Sequence, residues 1–115
     1  MKILIFGKGY MGERCAQAWG EEAVLSEVMV RSVEDALNEI ERIQPDVVFN
    51  AAGVKGKPNV DWCEEHQLET IRGNTTMPLL LADACQQADV YMLHMGSGCI
   101  FYGDSPHPDK AWRED

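Results

Sequence analysis

Glycines stand in this sequence where a chain would have to approach a phosphate. Gly7, Lys8, Gly9, Tyr10, Met11 and Gly12 follow an apolar run, Ile3 to Phe6. They open a pattern at helical spacing, Met11, Cys15, Ala18 and Trp19, which Gly20 ends. A G-x-G-x-x-G motif has chemical meaning in that setting, between a buried strand and the start of a helix. Gly7 would permit the tight turn, Gly9 would admit a pyrophosphate against the backbone, and Gly12 would let helix and strand pack closely. The helix start adds unpaired N–H groups and a partial positive charge. The motif predicts a dinucleotide site over residues 7–12; the alternative is a glycine-rich turn without a ligand.

Charges nearby bear on which dinucleotide. An acidic residue roughly 20 positions on would bond a ribose 2′-hydroxyl and favour NAD(H). Glu27 lies near that place. Arg31 and Lys8 would meet a 2′-phosphate and favour NADP(H). All three also read as solvated surface charges. The expectation is NADP(H), with NAD(H) left open. A second motif, Asn50, Ala51, Ala52 and Gly53, follows another apolar run. Its small residues would let the chain pass close to a cofactor. A third, Gly96, Ser97 and Gly98, ends the last apolar run and leaves an uncrowded hydroxyl. Ser97 could bond a substrate oxygen as charge develops on it, or bond its own backbone in a turn. His66 reads as exposed on a helix face, His94 as structural, and no metal-ligand spacing occurs among the histidines and cysteines.

These residues need elements to carry them. Ile3 to Phe6 and Val47 to Phe49 are short, continuous apolar runs, as strands buried on both faces are. Ala23 to Leu25, Val28 to Val30 and Val90 to Met95 are further β-prone pieces. Helices are predicted over Met11 to Trp19, Ser32 to Ile43 and, for the most part, Asn74 to Gln87, with Pro78 in a first turn or at a kink. Ser32 is a candidate N-cap with Asp35 three residues on, and Asp61 caps a following helix with Glu64 at capping-box spacing. Strands alternating with helices demand crossover connections. The fold class is therefore α/β, a three-layer sandwich around a parallel sheet of about five strands. Ligands bind such sheets at the carboxyl edge.

Composition agrees with a folded domain. The chain has 115 residues, 45% of them hydrophobic and 25% charged, enough for one domain. Ten basic against nineteen acidic residues give a net charge of −9. Such a surface repels nucleic acid and anionic lipid, so neither is an expected partner. No apolar run approaches the roughly 20 residues of a membrane span. Four cysteines, Cys15, Cys63, Cys85 and Cys99, show no Cys-x-x-Cys pair. Three of them read as buried small hydrophobes, and a reduced, cytoplasmic setting is the simplest reading. No metal site is expected.

The three motifs, in this order, resemble the extended short-chain dehydrogenase/reductase family, whose fold is Rossmann-type. The nearer likeness is to its dTDP-4-dehydrorhamnose reductase and nucleotide-rhamnose synthase branch. It is carried by the run from Asn50 to Glu64, by Glu69 to Asn74, by Leu81 to Cys85, and by Gly98 to Phe101. The resemblance implies that Gly7, Gly9 and Gly12 hold the cofactor pyrophosphate and that Ala51, Ala52 and Gly53 line its adenosine and ribose side. It places Asn74 at a structural asparagine position, Ser97 at that of the catalytic hydroxyl, and Arg31 where the group has an arginine. Two departures stand out. Only Lys8 separates Gly7 from Gly9, where the family has a longer loop. The family's Tyr-x-x-x-Lys pair, its general acid/base and the lysine that tunes it, does not occur, since Pro106 stands four residues after Tyr102.

Residues 1–103 are thus expected to be a truncated NAD(P)-binding Rossmann domain. Residues 104–115 are expected to be an irregular tail leading into a missing catalytic and substrate-binding portion. The implied activity is NADP-dependent reduction or epimerisation of nucleotide-linked 4-keto-6-deoxy sugars, with little turnover by these residues alone. The alternatives are a non-catalytic NAD(P)-binding regulatory module and one half of a split enzyme. The expected partners are a nucleotide-sugar substrate and a second copy or partner chain.

Overall fold

Ile3–Phe6 forms strand β1, and all four residues are buried. Four consecutive apolar side chains cannot alternate between core and water, so both faces of the strand must be covered. The computed structural model describes residues 1–96. In it β1 is central, flanked by β2 (Ala23–Leu25) and β3 (Val47–Asn50), with β4 (Tyr91–His94) outside β3. All three pairings are parallel. The chain crosses from β1 to β2 on one side and returns to β3 on the other. The carboxyl ends of β1 and β3 therefore form a topological switch point, where open α/β sheets bind ligands.

Helices fill the crossovers: α1 (Tyr10–Trp19), α2 (Val33–Ile43), α3 (Trp62–Glu65), α4 (Gln67–Ile71) and α5 (Met77–Gln87). On one face of the sheet Leu4, Phe6 and Val48 pack against Ala36 and Ile40 of α2 and Leu81, Ala84 and Cys85 of α5. On the other, Ile3, Ile5 and Phe49 pack against Cys15, Ala16 and Trp19 of α1. The Trp19 ring meets Phe49 edge-on, with centroids 5.4 Å apart. Burial of each large side chain is worth roughly 1.5–3 kcal/mol. The result is a three-layer Rossmann-type sandwich.

Local chemistry sets both ends of α2 and the start of α5. Ser32 caps α2, its Oγ accepting from the Asp35 N–H at 3.1 Å. The Asp35 carboxylate reaches back and accepts from the Arg31 N–H at 3.0 Å. Gln44, in the left-handed region, ends the helix before Pro45. Pro78 falls in the first turn of α5, directly after a wide π-type turn over Arg72–Thr76. Proline has no N–H for the carbonyl four residues back, so this wide turn sits where the α ladder must lapse.

Three expectations change. The described residues hold four strands, because Val28 to Val30 leaves the sheet. The Ser26 N–H still bonds the Ile5 carbonyl at 2.8 Å, but the Ser26 hydroxyl then takes the Val28 N–H at 3.1 Å and turns the chain. Asp61 does not cap α3: its own backbone is already helical and its carboxylate meets no cap N–H. Among the cysteines Cys85 is buried, Cys15 and Cys63 are half-buried, and Cys99 lies outside the described residues.

Candidate functional site

Three chain exits meet at the carboxyl edge of the sheet. Gly7 leaves β1 with φ 106°, a conformation that side chains rarely adopt. A Cβ there would also strike the backbone of Ala51 and Ala52, so the exits of β1 and β3 lie backbone against backbone. The Ala51 N–H ties them together through the Phe6 carbonyl at 2.8 Å. Gly12, in the first turn of α1, is buried, and a Cβ on it would run into the Gly7 carbonyl. Gly9 differs from both. Its backbone is ordinary extended chain and a Cβ would meet nothing within 4 Å. It precedes α1 with no side-chain cap, so among the described residues no side chain takes the leading N–H groups of Tyr10, Met11 and Gly12.

These exits floor a cleft of about 650 Å³. Gly7, Lys8 and Gly9 line it, as do Ala51, Ala52 and Gly53 and the turn from Ser26 to Arg31. The opposite wall comes from Val54, Glu69, Arg72, Gly73 and Met77. The cleft is of the size small-molecule sites have, about 300–1,000 Å³. Lys8 and Glu27 form an ion pair across its mouth. Thus Lys8, Arg31 and Glu27 stand on one cleft.

The chain matches the model of the NAD dependent epimerase/dehydratase family over residues 3–115. It belongs to that family. It is 41% identical over 115 residues to a trifunctional UDP-glucose 4,6-dehydratase/UDP-4-keto-6-deoxy-D-glucose 3,5-epimerase/UDP-4-keto-L-rhamnose-reductase of Arabidopsis thaliana, covering 96% of this chain and 17% of that protein. It is 42% identical over 111 residues to the bifunctional dTDP-4-dehydrorhamnose 3,5-epimerase/dTDP-4-dehydrorhamnose reductase of the same plant, covering 92% of this chain and 36% of that protein. Among solved structures, the UDP-rhamnose synthase of Acanthamoeba polyphaga mimivirus superposes with a TM-score of 0.82 at 31% identity, over 96% of this chain and 42% of that one. The chain therefore spans well under half the length of the relatives it matches.

The remaining site residues fall on the cleft or away from it. The side chains of Tyr10 and Met11 are exposed and do not line the cleft; Arg14 lies over the Tyr10 ring at 5.2 Å. Asn74 does not line the cleft either. Its amide grips Val54 at both backbone groups, donating to the carbonyl at 2.8 Å and accepting from the N–H at 2.7 Å. Ser97 lies outside the described residues. Asn50 was visible only as part of a small-residue run. It is fully buried, accepting from the Ala52 N–H at 3.0 Å while its amide meets His94 Nδ1 at 3.1 Å, and so fixes the β3 exit. The far wall, Glu69, Arg72 and Met77, was not read as part of a site. Glu69 and Arg72 stood out only within the run that carries the resemblance, as did Gly73, where a Cβ would strike the Val54 side chain.

Proposed function

We propose that this chain is the cofactor-binding part of an NADP-dependent reductase/epimerase acting on nucleotide-linked 4-keto-6-deoxy sugars. The observation that carries the reading is the cleft at the switch point. Its floor is the Gly7 to Gly12 turn, where an open Gly9 leads into an uncapped helix start. The residues fit a dinucleotide. Gly9 and the leading N–H groups of α1 would hold the pyrophosphate, Ala51 to Gly53 would lie along the ribose side, and Lys8 and Arg31 would face a 2′-phosphate. A bound nicotinamide cofactor supplies the hydride. The residues themselves position it and narrow the cleft around it. The rhamnose-forming relatives support the substrate class.

Ser97 is proposed as the hydroxyl that bonds the substrate oxygen. No tyrosine in the 115 residues has a lysine four positions later. The general acid/base implied by the resemblance therefore has to come from elsewhere, either further chain or a partner. Calorimetric titration tests the cofactor reading. NADPH should bind the wild-type chain more tightly than NADH, and Gly9→Val should abolish both without unfolding the protein, because a side chain there fills the cleft and touches nothing else. Folded wild-type chain that binds neither nucleotide would overturn the reading.

A further inference from the structure

Among the described residues the buried polar side chains are Ser26, Glu39 and Asn50. Asn50 holds the β3 exit. Glu39, on α2, is 3% exposed, and a carboxylate out of water must be paired and hydrogen-bonded. Arg42 supplies a fork from the same helix, Nη2 to Oε1 at 2.7 Å and Nε to Oε2 at 3.1 Å. That fork alone would satisfy the ion. The Ser26 hydroxyl nevertheless also donates to Oε1, at 3.1 Å and across 13 residues of chain. Ser26 is 4% exposed and is held at three points: its N–H by Ile5, its hydroxyl hydrogen by Glu39, and its oxygen by the N–H of Val28. The last of these bonds begins the turn that runs along the cleft to Arg31.

The Arg42 side chain is 65% exposed, so only the carboxylate of this pair is out of water. A carboxylate kept here does something that packing would not: it orients one hydroxyl. With its hydrogen held by Glu39, Ser26 Oγ is fixed in place as the acceptor for the Val28 N–H, the bond on which the turn begins. We infer that Glu39 is a positioning residue for cofactor choice. Through Ser26 it sets where Glu27 and Arg31 stand on the cleft, and so governs discrimination between a dinucleotide carrying a 2′-phosphate and one carrying a 2′-hydroxyl. The inference rests on the cofactor reading above.

The test measures dissociation constants of NADPH and NADH for the wild-type chain, Ser26→Ala, Glu39→Gln and the double variant, with amide exchange followed at Val28. Loss of one hydrogen bond should weaken NADPH by about fivefold in each single variant. NADH should change little, and Val28 should exchange faster. The double variant should be no weaker than the worse single one, because both break the same link. If Glu39→Gln does not fold, Ser26→Ala decides alone, since it removes only an oxygen. Equal weakening of both nucleotides, or an unmoved ratio in folded variants, overturns the inference and leaves the cofactor reading standing. Wild-type chain that binds neither nucleotide overturns both.

Discussion

Glu39 also ties stability to pH. The Arg42 fork holds its carboxyl below the ordinary 4.5, burial opposes this, and the Ser26 hydroxyl adds to the lowering. In the unfolded chain the same carboxyl titrates at its ordinary value. Between the two values the unfolded state binds a proton that the folded state refuses, so acid favours unfolding there. The stabilisation is complete above about pH 4.5 and is lost as pH falls through the lower, folded value. Glu39→Gln should therefore be less stable than wild type at neutral pH, by about 1–3 kcal/mol. The gap should narrow as pH drops below the carboxylate range. Denaturant unfolding of the pair from pH 7 to pH 3 measures it, and a gap that stays constant contradicts the account. Cys85 behaves in the opposite sense. Burial pushes its thiol up to about 11, so it remains a protonated core side chain throughout the range from pH 3 to pH 7.

Between elements, the site depends on joints that carry little apolar area. The Asn74 amide binds Val54 as a neighbouring strand would, one donor and one acceptor to one residue. It thereby holds the β3 exit against the wide turn before α5. Asn74→Ala should lower stability by about 1–3 kcal/mol, with faster amide exchange at Val54. Asn74→Asp should do no better, because it keeps the acceptor but sets a second oxygen against the Val54 carbonyl. Unchanged unfolding of both variants would show that the joint is held by packing. Asn74 was legible only through the resemblance, since no periodicity marks a side chain that imitates backbone. Where the signal is local, the sequence was clear. Apolar runs announced β1, β3 and β4, the serine cap announced α2, and the glycines announced the cleft floor. Contacts between distant segments left no such trace. Ser26 and Glu39 are ordinary polar residues until the fold joins them, and Arg72 comes to the cleft from the turn that precedes α5. Val28 to Val30 had strand-forming residues, but one serine hydroxyl took the N–H that a sheet would have needed.

At the scale of the molecule, the two faces of the sheet are unequally covered. On the α1 side Ile3, Ile5 and Phe49 are buried, whereas β4 presents Tyr91 at 69% exposure and Leu93 at 45%, in register with Val47 and Phe49. Among the described residues β4 also ends the sheet, so its outer backbone groups meet no strand. A parallel sheet is ordinarily covered on both faces, and an apolar edge strand invites pairing. Relatives of which this chain spans 17% and 36% have further chain available for that purpose. In a solution of the 115-residue chain alone, a second copy is available to do it. The net charge of −9 works against such contact. Its repulsion is long-ranged at low salt and is screened within about 10 Å at 0.1 M. Self-association should therefore grow with ionic strength, the reverse of an interface built on ion pairs. Light scattering on the purified chain across a salt series reads this directly. Mass should rise with salt, and Leu93→Lys, which puts a charge on the bare face without touching the core, should keep the chain monomeric. A monomer at every salt concentration would mean that β4 is covered within the chain itself. Association that weakens with salt would place the contact on charged surface instead.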